Sequence, residues 1–298
     1  MKVDTHLNIL ISYAYMKGKS QLSDRVCQLV REKRMNLMID SGAFTKFNAK
    51  GEYSHINLDD YCRFLETFGE MAEKYVMLDV IGNADVSKEN YLKMVERGLN
   101  PMFVVTMYDN DYAFMRSAVA RNPHICVAGG ATTKSLWMQK RYQDIFRLSN
   151  QEARIHGLAF VTYPKMMQLP LFSVDSSSWK AASLRFGMLQ YFDRGLKSIS
   201  YNDVLRKGSK LSFKQQQVLR NLKLTPEMFC NLEYHKGNVS IEALAGIYAN
   251  ITLQKICKRN HLDYFLAVSS QLDLDKVIWI NEHYNDLDYL KFRKEFAK

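Results

Sequence analysis

Short apolar runs bounded by polar turns recur along the first two thirds of the chain, and amphipathic stretches separate most of them. The runs predict strands at Leu7–Tyr13, Asn36–Asp40, Tyr75–Val80, Met102–Thr106, Ile125–Ala128, Arg154–Leu158, Leu171–Val174 and Leu196–Tyr201. Between them, Leu22, Val26, Leu29 and Val30 fall on one helix face, as do Tyr61, Phe64, Leu65 and Phe68. Asn57 is placed to cap the start of the second of these helices, and Tyr91, Met94 and Val95 mark a third after Ser87. Eight strands alternating with helices predict an α/β fold, a (β/α)8 TIM barrel. An open doubly wound sheet is the rival arrangement.

After residue 202 the rhythm changes. The segment Lys207–Lys223 is basic and rich in glutamine, a Cys/His-bearing stretch follows, and a helical segment near Asn281–Ala297 closes the chain. The expected organisation is a barrel core over 1–201 and an elaboration over 202–298. The apolar start is read as a first strand and not a signal peptide, because Asp4 and His6 precede it and no small-residue cleavage site follows.

Composition narrows the function classes. The hydrophobic content of 47% over 298 residues suits a large globular core. No apolar run reaches the length of a membrane span, so no membrane partner is expected. Lys plus Arg number 41 against 31 Asp plus Glu, a net charge of +10. Such an excess points to a polyanionic partner, nucleic acid first, or else to a basic surface that binds nothing. The five cysteines include no CxxC pair, which suits a reducing cytoplasm. Cys27, Cys62 and Cys126 fall on apolar helix or strand positions and are expected in the core.

Three aspartates lie at or near predicted strand ends: Asp40 in NLMID before Ser41, Asp79 in YVMLDVIGN, and Asp175 in LFSVD before a run of serines. In a parallel barrel these ends converge on one face, where active sites form. A single such Asp usually caps the following helix; three together favour a shared pocket. Gly129 and Gly130 follow the strand HICVA and would let a planar ligand approach the backbone, or simply make a tight turn. His156 lies near the next strand's end and either lines the same mouth or is a satisfied strand histidine. A separate set, Cys230, His235, Cys257 and His261, has the spacing C-x4-H-x21-C-x3-H, with the last two on one face of a presumed helix. Two thiolates and two imidazoles suit a closed tetrahedral zinc; the other reading is two buried cysteines and two incidental histidines.

These residues resemble the tRNA-guanine transglycosylase superfamily. Asp40-Ser41-Gly42-Ala43-Phe44 resembles its DSGG-plus-aromatic motif, Asp79 its second-strand aspartate, Gly129-Gly130 its glycine pair and Val174-Asp175 its nucleophile segment. Asn260 to Phe265 resembles its HNL-aromatic helix, with the Asn and His exchanged. The resemblance spans Asn36 to Phe265 as ordered motifs. It departs after the nucleophile, where Ser176, Ser177, Ser178 and Trp179 replace a basic segment. DSGAF, VDSSSW and the compact length look more like the branch that inserts 7-deazaguanines into phage and bacterial DNA.

The resemblance implies a transglycosylase that exchanges guanine in DNA for a 7-deazaguanine, the 7-cyano form first. It makes Asp175 the nucleophile and Asp40 the acid–base partner. Asp79, Ser41, Phe44, Gly129, Gly130 and His156 would bind the base. Zinc on Cys230, His235, Cys257 and His261 would be structural. DNA and the free base are the expected partners, in the cytoplasm of the cell or of a phage's host, and a homodimer is an assembly left open. The alternatives are an enzyme of the same chemistry acting on tRNA and a non-catalytic basic nucleic-acid-binding subunit.

Overall fold

The computed structural model describes residues 6–43, 56–106, 109–128, 135–160, 162–180, 182, 187–200, 204 and 211–297. Eight parallel strands form one sheet. In chain order they are β1 (Leu7–Ser12), β2 (Met35–Asp40), β3 (Lys74–Tyr75), β4 (Phe103–Thr106), β5 (His124–Ala128), β6 (Arg154–Gly157), β7 (Leu171–Ser176) and, after a separate hairpin β8 (Met188–Phe192) and β9 (Leu196–Ser200), β10 (Asp263–Val268). Their spatial order is β3-β2-β1-β10-β7-β6-β5-β4. The sheet curls until its outer strands meet. Val76 and Met102 form a parallel bridge, and Met102 donates its N–H to the Tyr75 carbonyl at 2.8 Å. This curled α/β arrangement is compatible with a TIM-like barrel.

Helices cover the sheet: α1 (Ser20–Arg31), α2 (Leu58–Phe68), α3 (Ala84–Glu96), α4 (Tyr112–Arg121), α5 (Ser135–Leu148), α6 (Phe213–Asn221), α7 (Ile241–Arg259), α8 (Gln271–Glu282) and α9 (Tyr289–Phe296). The predicted faces are the buried ones. Leu22, Val26 and Leu29 of α1 and Tyr61 and Leu65 of α2 are buried, and the Asn57 side chain accepts the Asp60 N–H at the start of α2. The cap of α3 is Asn83 instead of the region of Ser87, which lies a turn inside and ties back to Val80. Among the described residues, no helix is long and apolar enough to cross a membrane.

The eighth strand corrects the sequence reading. Residues 196–200 pair antiparallel with β8, and the sheet position between β1 and β7 belongs to β10. The two segments differ in what a parallel sheet demands. A strand covered by helices buries both faces and reads as a near-continuous apolar run. DYFLAV does this, whereas LKSIS exposes Lys197 and Ser198. The region after 202 therefore contributes a strand to the sheet. Helix α7 also ends at Arg259, and His261 has a left-handed φ of 58°, so Asn260 to Phe265 forms a turn and a strand in place of the expected helix.

Candidate active site

Asp40 ends β2 opposite Ser12, the last residue of β1. Paired residues of parallel strands point to the same face, so the two side chains meet. The Ser12 hydroxyl donates to Asp40 Oδ2 at 2.7 Å, and the Gly42 N–H donates to the same oxygen at 2.9 Å. Gly42 has φ +85°, and a Cβ built on it would lie 2.6 Å from Ala14 Cβ. Only glycine fits this turn, which accounts for the Asp-Ser-Gly sequence. Ser41 is buried and its hydroxyl accepts the Ala43 N–H.

Asp175 is the penultimate residue of β7 and is 8% exposed. Its Oδ1 accepts the Ala159 N–H at 2.8 Å and pairs with His156 Nε2 at 3.2 Å. His156 is 1% exposed and joins Ser173 Oγ through Nδ1 at 2.8 Å. An ionised carboxylate only accepts, so Nε2 carries the proton and, in the neutral ring, Nδ1 accepts from Ser173. Ser173 pairs with His156 across the strands and stands two residues before Asp175, so all three share one face. Both protein hydrogen bonds to Asp175 fall on Oδ1, and among the described residues none falls on Oδ2.

The electrostatics bring the third carboxylate into the same site. Burial raises the Asp40 carboxyl above its ordinary range; the Ser12 bond opposes this, and the Asp175 charge adds to it. Burial, and then the charge of Asp40, push Asp79 up to about 7. The buried Cys126 thiol on β5 is pushed up by burial and then by Asp40, Asp175 and Asp79 together. Asp40, Asp79, Asp175, His156 and Cys126 thus form one cluster, fed by β2, the segment after β3, β5, β6 and β7. No Lys or Arg pairs with any of its three carboxylates among the described residues. Sequence reasoning did not find Ser12, Ser173 or the Ala159 amide; it placed Cys126 in the core, where it lies. A hydroxyl closing the first strand and a serine two places before Asp175 were the available signals.

The segment after Asp175 is anchored to β10, α7 and α8. Trp179 donates its indole N–H to the Ala267 carbonyl at 3.1 Å, and Lys180 pairs with Asp273 at 2.6 Å. Ser178 donates to Asn250 of α7 at 3.3 Å. Phe44, Gly129 and Gly130 lie outside the described residues.

The four expected zinc ligands are not brought together. Among the described residues, no group of three or more His, Cys, Asp or Glu is arranged to hold a metal. Cys230 is exposed, and Cys257 is buried in α7 with its thiol pushed up to about 12 by burial. His235 faces Glu242 through Nδ1 and the Phe229 carbonyl through Nε2 at 2.8 Å. Burial pulls the His235 pKa down, but the Glu242 bond and charge and the Phe229 carbonyl outweigh it and hold it above its ordinary value. With a carboxylate and a carbonyl as acceptors, both ring nitrogens serve as donors and leave no lone pair for a metal. His261 follows the end of α7, off the face that carries Cys257. As placed, these residues do not fit a Cys2His2 centre, and no role for zinc is derived. No protein-family model matches the chain, and no curated protein matches it.

Proposed function

We propose that the chain is a transglycosylase that exchanges guanine in DNA for a 7-deazaguanine base, with 7-cyano-7-deazaguanine as the first candidate. The observation that supports this reading is the unequal trio of carboxylates, Asp40 and Asp175 at strand ends and Asp79 in the segment after β3. Asp175 is hydrogen-bonded through one oxygen, Asp40 is held by Ser12 and Gly42, and Asp79 is raised to about 7. Glycosyl transfer with retention uses one carboxylate as nucleophile and another as proton carrier, and acids whose environments push them apart suit those two tasks.

In this reading the free oxygen of Asp175 attacks the sugar C1′. The bond to guanine N9 breaks, and Asp40 in its acid form protonates the leaving base. A covalent glycosyl-enzyme results. The 7-deazaguanine then enters, its N9 attacks C1′, Asp40 takes the N9 proton, and Asp175 leaves as the carboxylate. Two inversions retain the β configuration. Asp79, able to donate or accept near neutral pH, reads the guanine-like edge. Ala159 and His156 hold Asp175 in line. The target nucleotide must leave the base stack to reach a strand-end pocket. The +10 charge supports a nucleic-acid partner, and a genomic substrate places the reaction in the cytoplasm.

The test is incubation of the purified protein with DNA or tRNA and 7-cyano-7-deazaguanine, followed by nucleoside mass spectrometry. Exchange in DNA is expected. Exchange in tRNA alone would move the substrate, and binding without exchange would leave a nucleic-acid-binding subunit. Asp175→Asn should lower exchange by ~10³-fold or more and remove the denaturation-resistant protein–DNA adduct, because an amide is a poor nucleophile. Asp40→Asn should still form adduct, slowly. An adduct that persists in Asp175→Asn and vanishes in Asp40→Asn would exchange the two roles.

A further inference from the structure

A cleft of about 260 Å³ opens between β8, α6 and α7, and it shares no lining residue with the carboxylate cluster. At one wall stands Gln190, which is 7% exposed. Its Oε1 accepts from Asn250 Nδ2 at 2.7 Å. The oxygen and nitrogen of an amide diverge, so this bond turns Nε2 away from Asn250. Nε2 makes no hydrogen bond to any described residue. A donor is therefore held in place at the wall of the cleft, without a partner among the described residues.

Asn250 is what fixes that orientation. It is wholly buried, and its own groups are committed: Nδ2 also donates to the Gly246 carbonyl at 2.8 Å, while Oδ1 accepts from Tyr264 at 2.6 Å and from Ser178 at 3.3 Å. Flipping the Asn250 amide would set an oxygen against the Gly246 carbonyl, which cannot donate. The Gln190 amide is thus locked by a network that reaches the segment just after Asp175.

The rest of the lining suggests what fits. Phe192 and Tyr248 supply flat aromatic surface. Gln217 and Asn221 of α6 add two amides that both donate and accept. The sole charged residue of the lining is Lys214, exposed on α6, and no carboxylate is present. Aromatic walls with convergent amides suit a planar heterocycle that carries donors and acceptors on its edge. Lys214 lies in the field of Asp193, which is itself paired with Lys197, so the cation of the lining keeps capacity for an anionic group on the same ligand. The volume admits one base and excludes a dinucleotide.

We propose that this cleft is a binding site for a single mononucleotide unit, with its base against Gln190 and Tyr248 and its phosphate toward Lys214. The proposal does not rest on the transglycosylase reading. It is tested by calorimetric titration of the full-length protein with guanosine 5′-monophosphate and thymidine 5′-monophosphate. Binding of at least one is expected, weakened on the order of tenfold by Lys214→Glu or Gln217→Ala, two exposed positions whose change spares the core. Gln190→Leu should weaken it as well; should that variant lose its fold, the two α6 variants decide. The double variant Asp40→Asn, Asp175→Asn should bind as the unchanged protein does. A short single-stranded oligonucleotide separates two sources of the same chemistry. Tighter binding than the mononucleotide, with the same Lys214 dependence, assigns the site to one nucleotide of a strand, and weaker binding assigns it to a free nucleotide. Absence of mononucleotide binding up to roughly millimolar concentration, indifference to both α6 variants, or loss in the double aspartate variant would each overturn the proposal.

Discussion

Replacing Gly42 with alanine should disturb the site through geometry alone. Two costs add. The first is backbone strain: φ is +85°, and a side chain in the left-handed region costs roughly 1–2 kcal/mol. The second is collision. The new Cβ would sit 2.6 Å from Ala14 Cβ, well inside the ~3.5–4.0 Å of an ordinary carbon contact. Both atoms are attached directly to backbone, so no side-chain rotation relieves the overlap, and overpacking of this kind costs about 1–3 kcal/mol. The sum is about 2–5 kcal/mol. At about 2–4 °C per kcal/mol for a large domain, melting should fall on the order of ten degrees. Gly82→Ala supplies the control, because Gly82 has φ +82° and nothing within 4 Å of its built Cβ. It should show the strain without the collision. Thermal and urea denaturation of the two variants gives the collision by difference. Base exchange by Gly42→Ala should also fall below that of Gly82→Ala, since the Gly42 N–H that holds Asp40 must move. Equal stability and equal exchange in the two variants would refute the close packing of the Asp-Ser-Gly turn against Ala14.

Four further outcomes are expected. Asp79 is raised from 3.8 to about 7, so between those values the folded protein binds more protons than the unfolded chain and its stability falls as pH rises; Asp79→Asn should therefore raise the melting temperature more at pH 8 than at pH 4, and a gain that is flat across this window would contradict the shift. His235→Ala should cost about 3–5 kcal/mol in urea denaturation by stranding the buried Glu242, whose Oε2 already lacks a partner. Elemental analysis should find no zinc that depends on Cys257, and one zinc per chain that disappears in Cys257→Ala would show that the His235–Glu242 arrangement gives way to a metal. Binding to DNA should weaken linearly on a log–log plot against salt, as counterion release requires; a flat plot would mean that the net charge of +10 is not used on nucleic acid.

Much of the sheet was legible because apolar runs of strand length, bounded by polar turns, have few other uses. Seven of the eight expected strands fall at or beside strands of the sheet. The eighth failed on a competition between two segments. LKSIS came in the expected rhythm, whereas DYFLAV followed a helix and stood just after His261, which drew attention to metal binding. Burial on both faces, the property that decides, appears only once helices are laid over the sheet. Asp40 and Asp175 were legible because position at a strand end is a one-dimensional property, while Asp79 falls in the irregular segment after β3. The bonds that set their chemistry were not. Ser12 meets Asp40, and Ser173 meets His156, through cross-strand register, which depends on how far each strand slides against its neighbour. The Cys/His set shows the converse. Its spacing permits a tetrahedral site, yet spacing carries no information about Glu242 and the Phe229 carbonyl, which between them engage both ring nitrogens of His235.

The three carboxylates also constrain one another. Asp175 is buried, Asp40 and Asp79 are half-buried, and no Lys or Arg offsets them among the described residues. Three negative charges in such a site repel one another and lose their hydration, so the site keeps a proton near neutral pH. Burial raises both Asp40 and Asp79, and at Asp40 the Ser12 hydroxyl and the Gly42 N–H oppose the rise. Asp79 is raised to about 7 by burial and then by the Asp40 charge. The titrations are therefore linked, and each apparent value belongs to the group as a whole. Removing the Asp40 charge with Asp40→Asn should lower the Asp79 value below about 7, observable as an earlier carboxyl transition in infrared difference titration. If the transition stays where it was, Asp40 and Asp79 do not share a site, and the role of Asp79 in reading the base beside Asp40 loses its basis.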